Sequence, residues 1–242
     1  MRKTILILIF SVGFILRFWQ LGVNPASLDW DEASLGYNAY SLLKTAKDEY
    51  GTLLPLSIRS FGDYKPPLYT YLTTIPVALF GLNEFSVRFI SALFGFLTVI
   101  VSYFLVKELF PHESSVFYFL FSLFFSLSPW HIQFSRIAFE ANLALFFFVC
   151  GIWLFLKGIN IGKFLILSFI SFGLSAYAYH SPRLIVPILL LGLFVLYRKE
   201  LRKQLRWIVC AIILLFIIIF PIIKEFSSTK ARFGSVTVIN PD

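Results

Sequence analysis

The sequence predicts an all-α, polytopic membrane protein, and three observations lead there. Of the 242 residues, 58% are hydrophobic and only 14% are charged, and the mean hydropathy is +0.82, a balance that soluble domains of this size rarely carry. The apolar residues are gathered into continuous runs of about 20, the length that crosses a hydrocarbon core as a helix. A backbone in lipid must satisfy its own hydrogen bonds, and for such runs the helix is the element that does so.

Seven runs are read, at roughly 4–22, 86–106, 115–130, 138–156, 164–179, 184–197 and 207–223. The third, fifth and sixth are close to the short limit for spanning. The first follows Arg2 and Lys3 and continues through Arg17 and Trp19 without a small-residue cleavage site, so it is read as a retained helix and not as a signal peptide. After it come a polar stretch, 23–67, and an amphipathic segment, 68–85; together these make a long first loop with interfacial helices. Cys150 and Cys210 both fall inside apolar runs, which excludes a cysteine-cluster metal site. There is no internal repeat, and residues 1–242 are read as one transmembrane domain.

The formal charge of +8 is an orientation signal and not a nucleic-acid footprint. With the N-terminus inside, Arg2, Lys3, Lys107, Lys157, Lys163 and the cluster "RKELRKQLR" (198–206) all lie on the inner side. The long first loop then lies outside. Three separate connections carry the unusual polar residues to that outer face: the first loop with Asp29, Asp31, Glu32 and "FGDYKPPLY", the turn "SPWHIQFSRIAFE", and the turn "AYHSPR".

Each of these residues has a plain structural reading beside a functional one. Asp29 and Glu32, three apart at the start of a helix expected over 31–46, read as a capping box or as part of an acidic site. Asp31 is not needed by a capping box and carries the functional weight. The prolines of "KPP" would start the segment after them, with Lys65 snorkelling to headgroups or holding an anion. Arg136 and Glu140, four apart, suit an ion pair on a helix surface. Arg183 stands at a helix start, where the dipole disfavours a cation and an anionic partner would favour one. His131 and His180 read by default as interfacial polar residues, and Trp19, Trp30 and Trp130 as aromatic-belt residues. Collectively, a carboxylate that can deprotonate a hydroxyl and cations that can hold a phosphate sit at one membrane surface.

The acidic "DE" after the first helix, "KPPLY", "VRFISALFG", "SPWHIQFSR" and "AYHSPR" resemble the polyprenyl-phosphate-sugar-dependent glycosyltransferases of the GT-C fold. The nearer branch is that of the protein O-mannosyltransferases and aminoarabinose transferases. The resemblance implies Asp31 as the catalytic acid with Glu32 beside it, Lys65 on the carrier phosphate, and Arg136 and Glu140 in substrate binding. His180 and Arg183 stand where many relatives carry a lysine. Family members usually have further helices, so the resemblance implies that this chain, ending in "TVINPD", matches their N-terminal part and lacks donor-pocket residues contributed later.

The expected function is therefore an inverting transfer of a sugar from a polyprenyl phosphate to a protein or a lipid-linked glycan. It is expected at the non-cytoplasmic face of the plasma membrane, with membrane lipid as a further partner and no nucleic acid. The alternatives are a lipid-carrier-binding or transporter-like bundle without catalysis, and an inactive shortened relative. A divalent metal would find hard oxygen ligands in Asp29 and Asp31, but nearby acids alone do not define such a site.

Overall fold

In a computed structural model that describes residues 2–224, each of the seven apolar runs is a helix. They are α1 (Arg2–Phe18), α4 (Glu84–Leu109), α5 (Ser115–Leu127), α7 (Glu140–Asn160), α8 (Lys163–Ala178), α9 (Pro182–Leu196) and α11 (Leu205–Lys224). Between them lie α2 (Trp30–Thr45), a hairpin of β1 (Ile58–Ser60) and β2 (Asp63–Lys65), α3 (Leu68–Phe80), α6 (Pro129–Arg136) and the short α10 (Arg198–Leu201). The closing "TVINPD" lies outside the described residues.

Among the described residues, three stretches could each cross a membrane alone by length and composition: Glu84–Leu109, Glu140–Asn160 and Arg198–Ile222. A fourth is the pair α5 and α6, bent by 50°. The other apolar helices are shorter than a hydrocarbon core is thick at about 1.5 Å per residue. The bend corrects the expectation that Ser128–Glu140 is a turn between two helices. Ser128 precedes Pro129, and a residue before proline is pushed out of the α region; its ψ is 116°. The chain then re-enters a helix with Pro129 in its first turn, and "SPWHIQFSR" is α6.

The first loop is more ordered than its polarity suggests. Asp29 caps α2, with its Oδ1 accepting from the Glu32 N–H at 2.7 Å while Glu32 reaches back to the Asp29 N–H at 3.3 Å, the two halves of a capping box. The hairpin turns on Phe61 and Gly62, both at positive φ, as a two-residue turn of this kind requires. That hairpin is absent from the sequence reading; "FGD" is its only local mark. α3 begins directly after the two prolines, as expected, and ends at Gly81.

Among the described residues two large apolar clusters hold the bundle, with a smaller third of Tyr103, Val106 and Tyr118 between α4 and α5. One joins α7, α8, α9 and α11 through Phe155, Leu165, Phe169, Phe172 and Leu190. The other joins α2, α3, α4 and α7 through Leu35, Tyr69, Val87 and Leu143. Between α4, α6 and α7 the contact is polar. The Ser91 hydroxyl donates to the Phe134 carbonyl at 2.9 Å, and the Asn142 amide donates to the Ser91 carbonyl at 2.9 Å. Small and hydroxyl-bearing residues at such seams let helices approach where burial from lipid gives little drive. Gly95 sits at this crossing, and a Cβ there would collide with the Ser135 side chain.

Gly95→Ala should therefore lower the thermal unfolding midpoint of the detergent-solubilised protein, at a cost of about 1–3 kcal/mol for overpacking. Gly192→Ala, where a Cβ meets nothing, is the control and should leave the midpoint unchanged.

Candidate functional site

Asp31 and Glu32 are chain neighbours with opposite surroundings, because consecutive helical residues point about 100° apart. Glu32 faces inward and is 2% exposed. Its Oε1 accepts from Arg88 Nε at 3.0 Å and from the Ala138 N–H at 2.7 Å; its Oε2 accepts from an Arg88 terminal nitrogen at 3.1 Å and from the Asp29 N–H. Arg88, fully buried on α4, uses its remaining donors on the carbonyls of Leu21, Pro25 and Ser27. One side-chain pair thus joins α2, α4, the chain after α1 and the start of α7.

Asp31 faces outward, with its side chain 54% exposed, and its Oδ1 accepts from Lys65 Nζ at 2.5 Å. Lys65 is itself buried, at the end of β2 where the hairpin meets α3. Next to it, the Tyr64 carbonyl lies 3.1 Å from His180 Nε2, which ties the hairpin to the α8–α9 turn. Arg183, one residue into α9, donates from Nε to the Ala176 carbonyl in the last turn of α8 at 3.1 Å. The first loop and the "AYHSPR" turn are therefore brought to one place.

Arg136 and Glu140 sit differently from the surface ion pair expected of them. α6 ends at Arg136 and α7 begins at Glu140, so they lie on separate helices, and both are buried. Arg136 donates to the carbonyls of Leu16 at 2.9 Å, Trp19 at 2.8 Å and Asn24 at 2.8 Å, closing over the C-terminal end of α1 where carbonyls lack helical partners. It also walls a cavity of about 660 Å³ at the α1–α6 seam, with Ile15, Leu16, Trp19 and Gln133. Glu140 lies close enough to Tyr69 to act on it. Burial pushes the Tyr69 phenol well above its usual range, and the Glu32 and Glu140 carboxylates push it further the same way. The phenol thus stays a donor, to the Val87 carbonyl at 2.9 Å.

Among the described residues no three His, Cys, Asp or Glu side chains cluster as metal ligands do. Asp29 is committed to the helix cap and Asp31 to Lys65, so this donor set does not fit a divalent ion. The sequence reading missed Arg88. Its signal in the sequence is an arginine inside the apolar run "VRFISALFG".

The described residues form a polytopic membrane bundle, and superposition on solved structures shows that its fold is GT-C. ArnT from Cupriavidus metallidurans in the apo state superposes with a TM-score of 0.71 at 17% identity, over 98% of this chain and 44% of that one. The same protein bound to undecaprenyl phosphate gives 0.69 at 17% identity, over 97% and 43%. The chain belongs to the dolichyl-phosphate-mannose-protein mannosyltransferase family, whose sequence profile matches residues 64–223. Lys65 lies inside that match, and Asp31 precedes it. Two uncharacterized proteins of Aquifex aeolicus (strain VF5) are also similar. One is 29% identical over 109 residues, 45% of this chain and 20% of that protein; the other is 27% identical over 196 residues, 81% and 42%. The chain spans less than half the length of each of these three proteins.

Breaking a buried pair by removing one partner costs about 3–5 kcal/mol, because the other charge is left uncompensated. Arg88→Met should therefore lower the unfolding midpoint sharply, and adding Glu32→Met should recover part of the loss. A double-mutant cycle in detergent measures this; additive losses would show that the two side chains do not depend on each other.

Proposed function

We propose that the chain carries the acid and the carrier-phosphate lysine of a membrane glycosyltransferase that uses a polyprenyl-phosphate sugar. The observation that supports this most is the Asp31–Lys65 pair: a half-exposed carboxylate held at 2.5 Å by a buried ammonium. A carrier phosphate entering this end of the bundle competes with Asp31 for Lys65. As Lys65 turns to the phosphate, Asp31 is released to take the proton of an acceptor hydroxyl or amine. The acceptor atom then bonds to the anomeric carbon while the carbon–oxygen bond to phosphate breaks. The bond pair leaves on the phosphate, whose growing charge Lys65 and Arg183 offset. A single displacement of this kind inverts the anomeric centre.

Glu32 serves beside Asp31 by fixing the helix that aims it. His180 holds the hairpin that carries Lys65. Arg136 borders the cavity at the α1–α6 seam, whose largely apolar wall suits part of a lipid-linked substrate, and Glu140 completes the buried polar junction behind. By the distribution of Lys and Arg, this end of the bundle is the non-cytoplasmic one, in the plasma membrane, with the N-terminus inside. The donor class is consistent with the family and with the undecaprenyl phosphate bound by ArnT. The acceptor is a protein or a lipid-linked glycan.

In membranes containing the chain, sugar transfer from radiolabelled polyprenyl-phosphate sugars should fall by about 10²–10⁴-fold in Asp31→Asn, the share usual for a general base. Carrier binding should persist in that variant and weaken in Lys65→Ala. Equal turnover in wild type and Asp31→Asn would remove Asp31 from the mechanism. Carrier binding without turnover in either would favour a lipid-carrier-binding role.

A further inference from the structure

The end of the bundle away from Asp31 and Lys65 is strongly basic. Five cations of "RKELRKQLR" are exposed there, Arg198, Lys199, Arg202, Lys203 and Arg206. Leu201, in their midst, is 3% exposed and packs into the cluster of Phe155 and Leu165, so the segment is held on the bundle with its charges turned outward. Gln204 fastens it a second time, its amide donating to the carbonyls of Ile159 at 3.5 Å and Asn160 at 3.4 Å. Trp207 completes the junction by packing over Gly162, where an added Cβ would meet the indole at 2.0 Å.

That junction brings the cations of the α7–α8 turn to the same surface. Lys157 Nζ stands 4.7 Å from the ring centre of Trp153 and 5.8 Å from that of Phe164, and Lys163 Nζ stands 5.7 Å from the same Phe164 ring. The Arg206 guanidinium lies 4.9 Å from the ring centre of Trp207. Residues 157–163 and 198–206 thus carry seven cations and one acid, Glu200. Among the described residues none of the seven is ion-paired.

Cations crowded in this way repel. Arg198 and Arg202, Lys199 and Lys203, and Arg202 and Arg206 stand four residues apart, the spacing at which like charges destabilise a helical turn. Orientation in a membrane asks for Lys and Arg near the end of a span, but it does not ask for two turns to be fastened together. Trp153, Phe164 and Trp207 are rings of the kind that sit at headgroup level, so the cations beside them stand at the depth of lipid phosphates. Arginine forks and lysine ammoniums hold phosphate oxygens through charge-assisted hydrogen bonds.

We infer that Lys157, Lys163 and the five cations of "RKELRKQLR" form a docking platform for anionic phospholipids, whose headgroups bridge the α7–α8 turn to the start of α11. The lipid supplies the negative charge that this surface lacks and draws the two segments together. About 24 Å of α8 separates the platform from the α8–α9 turn at the Asp31–Lys65 end. The inference therefore stands independently of the proposed glycosyl transfer, and either can fail without the other.

The test is thermal unfolding of the purified full chain in detergent, titrated at constant ionic strength with phosphatidylglycerol or phosphatidylcholine. A ligand bound only by the folded state raises its stability, so the wild-type midpoint should climb with phosphatidylglycerol and stay level with phosphatidylcholine. Added salt should shrink the rise. Lys157→Gln/Lys163→Gln and Arg202→Gln/Arg206→Gln should each weaken the apparent affinity for phosphatidylglycerol about tenfold or more. Lys44→Gln/Lys47→Gln, which removes as much charge from exposed positions around the end of α2, should leave it unchanged. If the Lys157 variant does not fold, Arg202→Gln/Arg206→Gln, both exposed, decides. An equal rise with the two lipids would overturn the inference, and so would an undiminished response in the platform variants. An equal loss in the Lys44/Lys47 control would overturn it by reducing the effect to net charge. Inorganic phosphate at matched concentration should not reproduce the rise; if it did, a free-anion site would replace the lipid platform.

Discussion

The Arg88–Glu32 pair is the constraint on which the rest of this architecture depends. Two charges with almost no solvent exposure must satisfy each other completely, and here they also satisfy the backbone. Five donors and two carboxylate oxygens are spent on α2, on the chain after α1 and on the entry to α7. Inside a low-dielectric bundle such a network is strong when filled and costly when any member is lost. The helix that bears Asp31 is therefore fixed in rotation before any substrate arrives.

The positioning continues outward. With Glu32 pinned inward, the helical repeat sends Asp31 to the surface, where the ammonium of Lys65 meets it. Lys65 is held in turn by a hairpin braced at His180. Rigidity behind and exposure in front give Asp31 a fixed direction with access to a second molecule, which is what the proposed proton transfer requires.

Much of this was legible in the sequence, for reasons that differ by element. Runs of apolar residues identified all seven major helices, because lipid permits little else. The Asp29–Glu32 spacing identified the capped start of α2, since three-residue spacing is what the cap geometry needs. "DE" and "KPPLY" marked two segments that meet in space, although spacing alone could not tell that Asp31 and Lys65 would bond to each other. What escaped was tertiary. Arg88 carries no local mark of its partner, which stands 56 residues earlier in the chain. Arg136 and Glu140 looked like a helical pair because a break between them leaves no periodic mark. The α5–α6 bend was readable from Ser128–Pro129, yet hydropathy ran straight across it.

The arginines of this junction mostly grip main-chain oxygens. Arg88 holds those of Leu21, Pro25 and Ser27, and Arg136 those of Leu16, Trp19 and Asn24. A carbonyl is the same whichever side chain it belongs to. Substitutions in the chain after α1 can accumulate without loosening the grip, provided its path is kept. A scaffold fastened this way separates the history of its letters from the persistence of its shape.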